Sequence, residues 1–182
     1  MTRGEASLVD RRRDGQTQRA RDLELAQIAK RHGANYSLRI VQACRAAKVP
    51  VSAGFALIEV ETGDERGGGR NIFGCDLGKR AGVPWCHQAV TRERVQVLIR
   101  HVKAGGTSNG VGPPQLTSLE YILRAERLGG AHLTRCTITV GMQVLREKTG
   151  GDMDQAWRFN GSRAYQAKFD KAMAKWHRRL TA

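Results

Sequence analysis

Apolar residues recur at intervals of three and four along most of this chain, and glycine or proline interrupts each run. Ile40, Cys44 and Ala47 belong to one such stripe, and Pro50 prevents that helix from continuing. Strand-like alternation is confined to a short extended piece around 71–75. The pattern therefore predicts a mainly α fold with little or no β-sheet. The predicted helices cover 19–31, 36–47, 53–62, 91–101, 118–128, a stretch through 138–145 that Gly150 closes, 152–159 and 163–180.

Residues that favour helix ends stand at the borders of several runs. Ser52 and Thr91 are each placed to act as the N-cap of the helix that follows. Thr117 and Glu120 have the spacing of a capping box, in which each side chain bonds the backbone N–H of the other residue. Gly63 predicts the end of the helix at 53–62.

Length and charge indicate one domain with a basic surface. The chain has 182 residues and a formal net charge of +14, and its hydrophobic fraction of 40% is enough to bury a core. Basic residues crowd the first segment. We expect residues 1–33 to form a basic N-terminal arm, helical or partly disordered, and residues 34–182 to form the folded domain. A monomer is expected.

No apolar window is long enough to span a bilayer, so we expect no membrane insertion. Basic residues in the segment 1–14 are not followed by an apolar stretch, which does not fit a secretory signal peptide. We therefore expect the protein to be made in a cytoplasm.

Four cysteines, Cys44, Cys75, Cys86 and Cys136, are widely spaced and include no Cys-x-x-Cys pair. A reducing cytoplasm favours free thiols in or near the core. A disulfide between Cys75 and Cys86 is the alternative if the protein works outside such a compartment. His87 stands beside Cys86, but the long gap to Cys75 and the missing fourth ligand fit no compact zinc pattern. We expect no metal and no cofactor.

Two glutamates lie close together on the predicted helix at 53–62. At about 100° per residue, Glu59 and Glu61 point about 200° apart. Glu61 falls within the column of Leu57 and Ile58, whereas Glu59 projects to the other side. Burial disfavours the charged form of a carboxyl group, so a partly buried glutamic acid can remain protonated and act as a general acid. Taken alone, Glu61 also fits a solvated helix end.

Three segments, in order, resemble motifs of the lysozyme-like lytic transglycosylases and goose-type lysozymes. The first is ALIEVETG at 56–63, followed by NIFG at 71–74. The second is GVGPPQLT at 110–117, and the third is AWRFNGS at 156–162. The residues of these motifs are most similar to those of phage endolysins. The resemblance covers roughly residues 36–165 and implies a lysozyme-like single domain with a glycan-binding cleft.

The resemblance assigns roles to the matching positions. Glu61 matches the general acid. Gln115 matches a cleft residue that bonds the sugar or its N-acetyl group, and Asn160 matches a substrate-contacting residue beside the acid. Asn71 and Gly112 belong to matched segments and are assigned to substrate binding.

Two positions depart from the family pattern. Phe159, also assigned to substrate binding, stands where many lytic transglycosylases have a tyrosine whose hydroxyl reaches the catalytic carboxyl. Phenylalanine cannot supply that hydrogen bond. Thr62 replaces the usual serine but retains a hydroxyl group.

The resemblance implies cleavage of the β-1,4 bond between N-acetylmuramic acid and N-acetylglucosamine in peptidoglycan. Glu61 would protonate the glycosidic oxygen while an oxocarbenium-like sugar develops. A second carboxylate that activates water would make the enzyme a hydrolase, whereas attack by the sugar's own 6-hydroxyl would make it a lytic transglycosylase. Asp64, Glu65 and Asp76 are the candidates for that carboxylate. Asp76 is preferred because it follows the NIFG segment, although all three also fit solvated loop charges.

The basic charge fits two kinds of polyanion. The resemblance implies peptidoglycan strands and anionic wall polymers as partners, with synthesis in the host cytoplasm and action at the bacterial cell wall. The alternative is a basic α-helical nucleic-acid-binding protein without catalysis. We do not expect nucleic acid as the partner, because no nucleic-acid-binding motif accompanies the charge and aromatic residues make up only 5% of the chain.

Overall fold

The computed structural model describes residues 3–63, 69–75 and 85–182, with side chains described from residue 15 onward. These ranges are mainly α-helical, as the apolar periodicity predicts. The helices are α1 (Arg3–Arg31), α2 (Ser37–Ala47), α3 (Val51–Thr62), α4 (Arg92–Lys103), α5 (Leu119–Arg127), α6 (Thr134–Thr149), α7 (Trp157–Asn160) and α8 (Arg163–Thr181), with a turn of 3-10 helix at Met153–Gln155. Within the same ranges, extended pairing is limited to isolated β-bridges.

Two clusters of buried side chains form the core, and α6 lies between them. The first cluster joins α1, α2, α3 and α8 to one side of α6, whereas the second joins α4, α5 and the loops around Phe73 and Val111 to another side. Residues on α6 that belong to the first cluster are Ile138, Met142 and Leu145. Those that belong to the second are Cys136, Val140 and Val144. The helical spacing of α6 therefore supplies both clusters at once.

The helix α3 is buried on nearly all sides and packs along α8. Every residue from 53 to 58 is buried. Phe55 stacks on Trp176 of α8 with ring centroids 4.7 Å apart. Such continuous burial is typical of a central core helix rather than of a surface helix with one apolar stripe.

The helix α1 begins well before the predicted start at residue 19. Its last turns belong to the first cluster, since Ala26 and Ala29 are buried there. An ion pair of 3.2 Å between Asp22 and Arg45 also connects α1 to α2. The basic N-terminal segment is therefore helical in its described part, and its end packs against the rest of the protein.

Two capping predictions are correct. Thr91 is the N-cap of α4, and its side chain accepts a hydrogen bond from the N–H of Arg94. Gly63 ends α3 in the left-handed conformation, with φ of 62°.

Two other capping predictions are wrong. Pro50, not Ser52, is the N-cap of α3, because the helix starts immediately after the proline. The capping box of Thr117 and Glu120 does not form, because Ser118 is the N-cap of α5 and Glu120 is then one position too early. The Glu120 carboxylate instead accepts from Arg124 at 3.1 Å.

The extended piece predicted around 71–75 pairs with two other segments. Ile72 forms a bridge with Ala89, and Phe73 forms one with Val111. The N–H of Gly74 donates to the carbonyl of Gly110 at 2.7 Å. These bonds join the first and second sequence motifs. None of the helices in the described ranges has the length and apolarity needed to cross a membrane.

Candidate active site

Glu61 accepts a hydrogen bond from a tyrosine on the last helix. The hydroxyl of Tyr165 donates to Oε1 of Glu61 at 2.7 Å. The Tyr165 side chain is almost fully buried, with 6% exposed, and Glu61 is partly buried near the end of α3. Burial, the nearby Glu61 charge and this hydrogen bond hold the pKa of Tyr165 well above its ordinary value. Tyr165 therefore remains a protonated hydrogen-bond donor at neutral pH.

Glu61 and Asn160 line the same pocket. Its volume is about 230 Å³, and Tyr165, Ser162 and Lys168 also line it. Asn160 is exposed at the end of α7. The left-handed conformation of Gly161, with φ of 88°, turns the chain from α7 toward α8. The structure thus brings together the predicted general acid and one predicted substrate-binding residue.

Phe159 anchors α7 instead of lining this pocket. Its side chain packs against both core clusters, and its carbonyl accepts a hydrogen bond of 3.1 Å from Nζ of Lys148. The same Nζ lies 5.9 Å from the Phe159 ring centroid and 5.7 Å from that of Tyr121. The hydroxyl that position 159 lacks reaches Glu61 from Tyr165 instead.

Gln115 lies between loops of the second cluster and is not among the residues that line the Glu61 pocket. It is 6% exposed, and its Nε2 donates to the carbonyls of Gly112 at 2.7 Å and Ile72 at 3.4 Å. A Cβ added at Gly74 or at Gly110 would collide with its Oε1. In this structure Gln115 therefore holds the first and second motif segments together. Its predicted contact with a sugar remains a prediction, as does that of Gly112.

The second motif loop rests on α6 close to α3. A Cβ added at Gly141 would lie 2.5 Å from Cβ of Pro114 and 3.9 Å from Cδ2 of Leu57. Gly141 thus permits the close approach of Pro114. Leu57 lies four residues before Glu61, so this contact places the loop near the helix that carries the acid.

Asn71 secures its loop to the segment before α6. Its Nδ2 donates to the carbonyl of His132 at 3.0 Å, and its predicted substrate contact is untested. The candidates for a second carboxylate, Asp64, Glu65 and Asp76, lie outside the described residues.

Glu59, which the helix geometry places on the other side of α3 from Glu61, is covered by α8. Its side chain is only 12% exposed and pairs with Lys175. Nε1 of Trp176 also donates to Oε2 of Glu59 at 2.8 Å. Residues of α8 therefore pack against this side of α3. Glu59 accordingly forms part of the α3–α8 packing.

The structure contains a disulfide between Cys75 and Cys86, whose Cα atoms are 4.9 Å apart. The expectation of free thiols is wrong for these two residues, and the alternative pairing is present. Cys44 and Cys136 are free and buried. His87 lies beside the two sulfur atoms, with all three donor atoms within 4.8 Å of one another. Sulfur atoms joined in a disulfide are not thiolate ligands, so metal binding here would require reduction of the disulfide.

Tyr165 is the site residue that sequence reasoning missed. Its spacing from Phe169, Ala172 and Trp176 indicated a core stripe on the last helix, and all four side chains are indeed buried. A buried tyrosine hydroxyl usually requires a hydrogen-bond partner. That requirement was the available signal, but it did not identify the partner.

A comparison of the chain with models of protein families finds no match, and comparisons with curated proteins and with solved structures find none either.

Proposed function

We propose that this protein is a peptidoglycan-cleaving glycosidase of the phage endolysin type, with Glu61 as the general acid. The supporting observation is the hydrogen bond from Tyr165 to Glu61 in a pocket that also contains Asn160. The order of the three sequence motifs supports the same function. The bond cleaved would be the β-1,4 linkage between N-acetylmuramic acid and N-acetylglucosamine.

Glu61 delivers a proton to the glycosidic oxygen as the bond breaks and positive charge develops on the sugar. Tyr165 holds one carboxyl oxygen in place and, as a neutral donor, bonds strongly to the carboxylate that remains after proton transfer. Lys168 lines the same pocket and adds positive charge near the newly formed anion. Tyr165 and Lys168 thus share a pocket with the carboxylate that forms as the proton leaves.

Asn160 supplies an amide that can both donate and accept hydrogen bonds. It is exposed in the pocket that contains Glu61. An N-acetyl group presents the complementary carbonyl and N–H, so Asn160 is suited to orienting an N-acetylated sugar beside the acid.

Hydrolysis and lytic transglycosylation share the protonation step. Among the described residues that line the pocket, Glu61 is the one carboxylate. In transglycosylation Glu61 would next accept the proton of the sugar's 6-hydroxyl, whereas hydrolysis would use a water molecule. The ends of the products distinguish the two routes.

The proposal can be tested by mass spectrometry of soluble products from purified peptidoglycan. Wild-type protein is expected to release glycan fragments, and Glu61→Gln is expected to release none. Glu24→Gln, at an exposed glutamate on α1, is the control and should retain cleavage, with circular dichroism confirming that both variants fold. Reducing N-acetylmuramic acid ends identify a hydrolase, and 1,6-anhydro ends identify a transglycosylase. No products from wild-type protein, or equal products from Glu61→Gln, would overturn the proposal.

A further inference from the structure

A second groove adjoins the Glu61 pocket. Its volume is about 450 Å³, and it lies between the end of α3 and one face of α8. Val60 and Lys168 line both this groove and the Glu61 pocket. A molecule bound at Glu61 could therefore extend into the groove without leaving the protein surface.

Four cations of α8 line the groove: Lys168, Lys171, Lys175 and Arg178. Their spacing of three, four and three residues places them within an arc of about 80° and along about 15 Å of the helix. Lys175 pairs with Glu59. The other three are exposed and form no ion pair with any residue in the described ranges. Glu59 is the one carboxylate among the described residues that line the groove, so three of the four cations remain unneutralised there.

The groove also has an apolar part. Val60 of α3 and Ala172 of α8 line it together with the cations. An extended peptide rises about 3.3 Å per residue, so about 15 Å of groove accommodates four or five residues. Methyl side chains of such a peptide would contact Val60 and Ala172 while its carboxylates met the lysines. A phosphate polymer would use only the cations.

We infer that this groove binds an acidic peptide carried as a branch on the glycan whose sugar lies at Glu61. The inference rests on the proposed function, because continuity with the Glu61 pocket is what identifies the peptide as a branch of the substrate. Peptidoglycan carries short peptides with free carboxylates on its muramic acid units, which is the required chemistry. The groove would then select peptide-bearing glycan over bare glycan.

The selectivity is tested with one glycan preparation in two forms, bearing its peptides and stripped of them by an amidase. Wild-type protein is expected to have a kcat/KM about tenfold higher on the peptide-bearing form at low salt. In the double variant Lys171→Gln/Arg178→Gln, kcat/KM is expected to be equal on the two forms, a ratio of about one. The double variant Arg100→Gln/Lys103→Gln removes the same charge from an exposed surface of α4. It should keep the tenfold preference for the peptide-bearing form. A ratio that the groove variant leaves unchanged would overturn the inference.

A binding measurement separates failure of the groove from failure of the proposed function. The probe is a synthetic tetrapeptide of alternating alanine and glutamate, titrated into Glu61→Gln with and without the two groove substitutions. Binding that is at least about tenfold weaker in the groove variant supports an acidic-peptide site in the groove. If wild-type protein then cleaves no glycan, the proposed function fails while this peptide site stands. If the substitutions weaken binding of a single-stranded oligonucleotide but not of the peptide, the inference is overturned and the groove is a nucleic-acid site.

Discussion

The Tyr165 hydroxyl donates a 2.7 Å hydrogen bond to Glu61 from a position 104 residues away in the chain. This bond joins α8 to the end of α3 and sets the surroundings of the candidate acid. Glu61 thus depends on the packing of α3 against α8, and so does any chemistry that uses it.

Tyr165→Phe is expected to reduce kcat for peptidoglycan cleavage. A hydrogen bond to a charged group contributes about 1.5–3 kcal/mol, which corresponds to a loss of roughly 10- to 150-fold if the bond forms fully in the transition state. The ring should still pack against Phe169, so the fold should persist. Tyr36→Phe, at a tyrosine that is 40% exposed, is the matched control. Steady-state kinetics that show equal kcat for Tyr165→Phe and wild-type protein would contradict the prediction.

Tyr165 should also produce a stability change at alkaline pH. Its pKa is raised well above 10 in the folded protein, so above about pH 10 the unfolded chain loses this proton before the folded protein does. The contribution of the protonated Tyr165 to the free energy of unfolding is complete below pH 10. It decreases as the pH rises toward the pKa of Tyr165 in the folded protein. We therefore expect the free energy of unfolding of wild-type protein to fall relative to that of Tyr165→Phe above pH 10. Urea titrations between pH 8 and pH 11 measure this difference, and a constant difference would exclude the effect.

Gly74→Ala is expected to destabilise the protein because its new methyl group would collide with Oε1 of Gln115. Overpacking of this kind costs about 1–3 kcal/mol. Gly15→Ala is the matched control, since a Cβ there meets no other atom within 4 Å on α1. Alanine in a helix interior should stabilise the protein by about 0.5–1 kcal/mol. Urea unfolding gives both values, and the prediction fails if the two substitutions have the same sign.

Lys148→Met should loosen the segment that carries Asn160. It removes the donor to the Phe159 carbonyl but retains most of the apolar side chain. The expected loss is about 1–2 kcal/mol of stability, together with a raised KM for glycan because Asn160 follows Phe159. Lys103→Met, at an exposed lysine on α4, should leave both quantities unchanged. Unaltered KM and stability in Lys148→Met would show that this bond does not position Asn160.

The cysteines should give a specific thiol count. Burial raises the pKa of Cys44 to about 12, and Cys136 is buried as well, so neither should react with a thiol reagent in the folded, oxidised protein. Denaturation without reductant should expose two thiols, and reduction should expose four. A count of four in the denatured, unreduced protein would show that the disulfide between Cys75 and Cys86 is absent.

Much of the secondary structure could be predicted because its causes are local. The stripe of Ile40 and Cys44 lies on one face of α2, and Thr91 caps α4 through a bond to an amide three residues away. The capping box of Thr117 failed for an equally local reason, a shift of one residue in the helix start.

The motif order also identified two residues that share a pocket. Glu61 and Asn160 line it together, although nothing in their immediate neighbourhoods requires this. The environment of Gln115 could not be predicted in the same way, because its partners belong to another loop that folds against it.

By itself, the sequence determined a mainly helical chain with Glu61 at the end of an apolar helix, since periodicity and helix ends depend on neighbours within a few residues. Only the tertiary structure decided that Tyr165 bonds Glu61 and that Glu59 pairs with Lys175, 116 residues away. Such partners are selected by the way α8 packs along α3. The helical spacing of either segment alone specifies which residues share a face, but not which distant side chains that face will contact.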